Sequence, residues 1–356
     1  MDLIFFRPPS GSGPGVLLVP DETGFTDGIQ EWARRLAEDG YLVAVPPTGG
    51  GASVDVSEAA LETSRSLDQN AHMAAIGIGQ GADQILSSGV EFDAMVLFDP
   101  LTDAAPGSKS GPVVLHVSSR ETHPLHTAIT GLPEGRVHAY DHCQPGFMDT
   151  SLPAYDKWAA RIAYSRTLAP LRRVMGPHYD LAGLFAEHLR LEFVEKDAHA
   201  TMETMIGEPY VNHVPTRTGG VGHQLLERFY KYHFIPTQPE DRQNTLISET
   251  VGADTVVLEI LGRFTHDKVM DHMLPGIPPS GKQVELPVVV VASFRGDKLY
   301  NEHIYWDQAS LLTQVGALEP GDLPISGAVA AHKLEDMSLP SNELMPNWHE
   351  SEGKPL

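Results

Sequence analysis

The sequence is poor in cysteine, in basic residues and in long apolar runs. Cys143 is the only cysteine among 356 residues. That excludes an internal disulfide and any zinc site built on cysteines. Lys and Arg number 25 against 47 Asp and Glu, a formal net charge of −22. Such an excess denies the chain the basic face that nucleic acid or an anionic membrane needs, so neither is expected as a partner. No apolar run approaches the roughly 18 residues of a membrane span. The start, MDLIFFRPPSGSG, has neither the basic region nor the long apolar core of a secretory leader. A cytoplasmic enzyme or small-molecule binding protein is the expectation. Apolar residues make up 41% of the chain, enough for two packed cores.

The first part alternates short apolar strands with amphipathic stretches. Val16–Val19, Leu42–Val45, Met73–Ile78, Ala94–Phe98 and Val113–Val117 read as buried strands. Gly28–Glu38, Val56–Leu67 and Ala82–Leu86 read as helices between them. This rhythm predicts a parallel sheet with helices on both faces. Leu152–Val174 reads as a closing helix, bent or broken near Pro170. Gly176-Pro177 marks a boundary. Beyond it come the helices His178–Glu195 and Ala198–Met205, the strand Tyr210–His213 and the helix Gly222–Tyr232. The extended runs Asn244–Val251, Thr255–His266, Val284–Phe294 and Lys298–Asp307 follow. Helices first and antiparallel strands after is an α+β pattern, a curved sheet wrapped on helices. The expected domains are 1–175 and 176–320. Residues 321–356, rich in Pro, Glu and Ser, read as an extended tail.

In the first domain, Gly77-Ile78-Gly79-Gln80-Gly81-Ala82 is a tight glycine turn between a strand and a helix. An α/β-hydrolase carries its nucleophile at the centre of such a turn, and here the centre is Gly79. Glycine offers no atom for attack on a carbonyl. The same glycines also fit a dinucleotide fingerprint, with Asp99 as the ribose-binding acid. At least two strands precede them, however, where that motif normally follows the first strand.

The segment GPGVLLVPDETGFTDGIQEWARRLAEDGYLVAVPP, the Gly77–Ala82 turn and LPAYDKWAARIAYSRTLAPLRR together resemble the dienelactone hydrolase family. The resemblance implies an α/β-hydrolase fold over about 170 residues. It also implies a cysteine, aspartate and histidine site whose positions fall here on Gly79, at or near Glu121, and on Pro145. Glu22 matches an acid lining that site. With Gly79 and Pro145 at two of the three positions, the family's covalent hydrolysis is not expected, and the domain reads as a pseudo-hydrolase. A hydrolase using Glu22 or His142 to activate water directly is the alternative.

In the second domain, strand parity places His303, Tyr305 and Asp307 on one face and Glu302, Ile304 and Trp306 on the other. A histidine, tyrosine and aspartate on one face suggest a polar pocket. Glu192–Asp197, Tyr210–Pro215, Arg228-Phe229-Tyr230, the turn Phe294–Lys298 and Lys298–Gln308 resemble the SnoaL-like polyketide cyclases. Those share the cone fold of ketosteroid isomerase. The resemblance places His213 near the general base and Asp307 near the cyclases' acid/base. It also places the apolar Leu189 and Val290 where the isomerase has its oxyanion donors, so steroid-type isomerisation is not expected. The candidate catalytic residues are His213, His303 and Asp307. Tyr210, His266, Asp271, His272 and Tyr305 are expected to line the pocket. No tight metal-binding spacing appears, and neither metal nor other cofactor is expected. The expected function is acid/base chemistry (cyclisation, dehydration, isomerisation or water addition) on a small, partly apolar molecule. A non-catalytic binding module is the alternative. The resemblance also implies a homodimer.

Overall fold

The computed structural model describes residues 2–47, 53–69, 71–107, 111–118 and 123–355. The chain divides into two compact units, Met1–Tyr179 and Asp180–Leu356.

Unit 1 runs β1 (Ile4–Phe6), β2 (Gly15–Val19), α1 (Asp27–Glu38), β3 (Leu42–Val45), α2 (Val56–Arg65) and β4 (Met73–Ile78). It continues with α3 (Gln80–Ser87), β5 (Ala94–Phe98), β6 (Val113–Val117), α4 (His126–Thr130), β7 (Gly135–Ala139) and α5 (Lys157–Met175). The sheet order is β1-β3-β2-β4-β5-β6-β7. Only β1 runs antiparallel to its neighbour. Strands β2, β3, β5 and β6 are buried at every position, as a sheet covered on both faces requires. Edge strands β1 and β7 are half-exposed and read poorly in the sequence. Helix α5 starts later than expected, because the Asp156 carboxylate caps it through Trp158 N and Ala159 N. Pro170 lies inside that helix without ending it.

Unit 2 begins with α6 (Leu181–Arg190), which continues as a π-helical turn over Leu191–Glu195. Then come α7 (Ala198–Glu203), β8 (Met205–His213), β9 (Thr218–Val221) and α8 (His223–Phe229), with a second π-helical turn over Tyr230–Phe234. Strands β10 (Gln243–Val251), β11 (Thr255–Thr265), β12 (Gln283–Arg295) and β13 (Lys298–Trp306) follow, then α9 (Gln308–Val315) and α10 (Val329–Glu335). The six strands are ordered β10-β11-β12-β13-β8-β9. The sheet is mixed: β13 pairs with β8 in parallel and every other pairing is antiparallel. The tail is not wholly extended. Helix α10 packs on β12, with Ala331 buried and Glu335 paired to Arg263.

Candidate active site

In unit 1 the glycine turn keeps its geometry without its chemistry. Gly79 sits at φ 49°, ψ −118°, and a Cβ there would lie 3.1 Å from the Asp21 Cβ. A Cβ on Gly81 would fall 2.3 Å from the Val19 carbonyl oxygen. The glycines are thus explained by a strained turn and a close strand–helix approach. Asp99, the ribose-binding candidate, is engaged inside the chain, accepting from Ser118 N (2.7 Å) and Ser118 Oγ (3.0 Å). Glu22, His142 and Pro145 are exposed, and Glu121 lies outside the described residues.

Unit 2 encloses a cavity of about 360 Å³. Its sheet wall follows strand parity. Val211 and His213 of β8, Glu302, Ile304 and Trp306 of β13, and Val288 and Val290 of β12 face it together. Leu189 and Val290 are among its apolar lining. Both π-helical turns feed it, supplying Glu192 and Phe193 from one and Tyr230 and Phe234 from the other. Single π turns of this kind often accompany functional sites.

One buried polar cluster breaks the apolar wall. His188 and Glu192, four residues apart, lie on one helical face. Glu302 reaches them from β13, where its cross-strand neighbours are the buried Ala292 and Val211. His188 Nε2 stands 3.0 Å from Glu192 Oε1 and 3.7 Å from Glu302 Oε2. His188 Nδ1 is 2.6 Å from Thr204 Oγ1, and that hydroxyl donates to the Thr201 carbonyl (2.6 Å). The Thr204 oxygen therefore accepts from Nδ1–H, which turns Nε2 toward the carboxylates. Tyr230 OH donates to Glu302 Oε2 at 3.3 Å.

Burial alone would lower the His188 pKa, but the two carboxylates outweigh it and hold the imidazolium up to about 10. Burial raises the Glu192 carboxyl, and His188 offsets only part of that rise. Burial likewise pushes the Tyr230 phenol well above its ordinary value, with both carboxylates adding to it. One imidazole nitrogen and two carboxylates, all within 4.8 Å of one another, could also hold a divalent cation. A proton on His188 together with one on a carboxyl accounts for the same arrangement with the charge balanced.

The structure brings only two of the expected site residues to this cavity. His213 is buried against Phe229, Phe234, His272 and Trp306, with Nδ1 3.3 Å from the Thr218 carbonyl. His272 lines the cavity beside it, while its carbonyl accepts from Thr216 Oγ1 and Thr218 Oγ1. The other six lie elsewhere. His303 and Tyr305 share a face as parity predicts, but it is the face away from the cavity. There His303 packs on Tyr210 and Tyr305 is exposed. Asp307 is exposed and caps α9, accepting from Ala309 N, Ser310 N and Ser310 Oγ. Asp271 is exposed and accepts from Gly276 N. His266 is buried but outside the lining; Nδ1 meets Ser280 Oγ, and its backbone pins the loop at Ser280–Lys282.

His213 is held down to about 4, chiefly by burial; Arg242 lowers it further, while Glu302 and the Thr218 carbonyl oppose. An unfolded histidine titrates near about 6.5. Its contribution to stability is therefore complete above pH 6.5 and is lost as pH falls toward 4. His272, Glu302 and Arg242 are the charged or titratable groups that bear on it. His213→Phe should reduce the acid-side fall in the urea midpoint of unit 2 between about pH 7 and pH 4.5. An unchanged slope would show that burial does not keep the ring neutral.

No family model matches this chain, and no curated protein sequence matches it. Similar solved structures fall into two groups. A Klebsiella pneumoniae chain assigned as a dienelactone hydrolase is 16% identical, covers 46% of this chain and 90% of its own, and has a TM-score of 0.39. A chain from Jannaschia assigned as a SnoaL-like polyketide cyclase is 18% identical over 40% of this chain and 99% of its own, with a TM-score of 0.31. A third, from Acidithiobacillus ferrooxidans and assigned as a polyketide cyclase, is 19% identical over 41% of this chain and 100% of its own, with a TM-score of 0.33.

Proposed function

We propose that unit 2 is a proton-transfer enzyme whose acid and base are its own side chains, acting on a small, partly apolar molecule held in the cavity. The observation that carries this is the buried His188–Glu192–Glu302–Tyr230 cluster opening onto an apolar wall. Two carboxylates in different settings support separate roles. Glu192, raised by burial, is the proton carrier. Glu302, which accepts from Tyr230, is the acceptor that draws a proton from carbon or from water. His188 keeps the pair in register and neutralises one charge. His213, neutral near pH 7, adds a ring nitrogen from the sheet side. Such a site suits isomerisation, dehydration, cyclisation or hydration through an enol or enolate. Unit 1 is a support in this reading, since Gly79 has no nucleophilic atom and Pro145 no base.

The test is solvent exchange in deuterium oxide, followed by proton NMR on enolisable aryl ketones and β-keto esters. Wild-type protein should exchange the acidic C–H faster than buffer. Glu302→Gln should lose about 100-fold of that rate, in the range of a positioned general base. Exchange equal in wild type, Glu302→Gln and Glu192→Gln, or absent for every probe, would leave the cavity a binding site only.

A further inference from the structure

Arg242, immediately before β10, is a cation on the cavity wall with no ion-pair partner, the Glu192 charge acting on it only from beyond pairing distance. Its Nη1 donates to Gln238 Oε1 (2.6 Å) and its Nε to Asn244 Oδ1 (3.1 Å), both neutral amides. Its plane lies over the Phe193 ring at 5.2 Å and the Phe264 ring at 5.6 Å. The acids beside it in sequence are engaged elsewhere. Glu240 pairs with Lys196 and Lys268, and Asp241 accepts from Thr265 N and Oγ1. Among the acids of the cavity wall, Glu192 and Glu302 are committed to His188, and Glu249 is exposed on β10. Arg190, the other arginine there, is already paired with Glu187 and Glu195. Among the described residues, no carboxylate comes within ion-pair distance of Arg242.

A guanidinium has five N–H groups, and two are used here. A partly buried cation set against two aromatic rings, with donors to spare and no ion-pair partner, is costly unless an anion arrives from outside. Two amides fix the orientation of the fork, which suits the two oxygens of a carboxylate. Most of the rest of the wall is apolar, chiefly Leu, Ile, Val and Phe, which suits an apolar body.

We propose that the cavity takes an organic carboxylate, an apolar or aromatic acid whose carboxylate lies on Arg242 and whose body extends toward the Glu302 cluster. This rests on the proton-transfer reading for what happens next, but not for binding. The bound anion would also offset the Arg242 field, which lowers both His213 and His272. Substrate charge would thereby make the sheet-side histidines better proton acceptors.

The test uses the full chain and a matched pair of probes, 2-naphthoate and its neutral amide, 2-naphthamide, titrated by calorimetry. The acid should bind at least about 10-fold more tightly than the amide, as one charge-assisted bidentate contact allows. Arg242→Gln should erase that preference and Arg242→Lys should keep part of it; unchanged melting temperatures show both variants fold. Equal binding of acid and amide, a preference that survives in Arg242→Gln, or no binding of either at millimolar concentration overturns the proposal. Glu302→Gln separates the two readings. It should abolish exchange while leaving the acid/amide preference intact. A lost preference in Arg242→Gln together with exchange unaffected by Glu302→Gln would sink the proton-transfer reading alone.

Discussion

Asp39→Ala should destabilise unit 1 by about 3–5 kcal/mol, the cost of breaking a buried ion pair from one side. Asp39 is fully buried at the C-terminal end of α1, where a carboxylate opposes the helix dipole. It is tolerated because Arg172 Nη2 donates to Oδ1 (2.6 Å) and Tyr164 OH to Oδ2 (2.6 Å). Arg172 itself lies in the last turn of α5, the favourable end for a cation, and stacks over Tyr179 at 5.3 Å. Removing the carboxylate strands a guanidinium 8% exposed and deprives a buried phenol of its acceptor. Hydrogen exchange read on the α1 and α5 amides would report this for unit 1 separately from unit 2. Asp39→Leu with Arg172→Met should recover most of the loss, since an apolar pair of similar volume often matches a buried ion pair. A loss below about 1 kcal/mol would mean that water reaches the pair.

The position of that pair bears on what unit 1 is for. Asp39 stands just before β3 begins, whereas Gly79 stands just after β4 ends, and the two strands run parallel through β2. This buried ion pair of unit 1 is therefore at the end of the strands opposite the glycine turn. The buried imidazole of His116 is likewise spent internally, against Tyr140 OH (2.9 Å) and stacked on Phe98. Polar groups are invested in holding the helices to the sheet. Of the positions offered for a hydrolase's nucleophile and base, Gly79 has no side chain and Pro145 is exposed, as are Glu22 and His142.

Much of unit 1 was legible because continuous apolar runs such as Ala94–Phe98 permit only a strand covered on both faces. Unit 2 was legible in its strands and less so in its site. Parity divides β13 correctly into two sets, but the polar set, His303 and Tyr305, faces away from the cavity it suggests. The apolar set is the interior, and the informative residue is the carboxylate out of place within it, Glu302, in parity with Ile304 and Trp306. His188 and Glu192 carried a weaker signal. At helical spacing they look like an ordinary surface pair, and partners distant in sequence, Thr204, Tyr230 and β13, surround His188. Arg242 carries no sequence signal, since Glu240 and Asp241 beside it look like its partners and only the fold engages them elsewhere. Asp307 misled for a physical reason too. An acid at the end of a strand is as well suited to cap the next helix as to enter a pocket, and here it caps α9.

His188→Ala should cost unit 2 about 3–5 kcal/mol near neutral pH, and the loss should shrink in acid. The substitution leaves Glu192 and Glu302, both almost fully buried, with no cation between them. Two carboxylates so close cannot both stay ionised in an apolar setting, so the variant must bind a proton to fold. Lower pH supplies it, and the variant should therefore gain on wild type as pH falls. Wild type has a dependence of the same sign, placed on the alkaline side. His188 titrates near about 10 in the fold and near about 6.5 unfolded, so the folded chain holds one more proton between those limits. That stabilisation is complete below pH 6.5 and drains away as pH rises through 10. In His188→Ala the alkaline slope of unit 2 should flatten, and adding Glu192→Gln should restore much of the lost stability by removing one charge. Urea midpoints followed by hydrogen exchange on α6 and β13 across pH 5 to 10 would measure both limbs. A small, pH-independent loss would mean that His188 is neutral and the carboxylates are already protonated. Glu302 could then not act as a base, and the cavity would retain its shape and its Arg242 anchor without the means to move a proton.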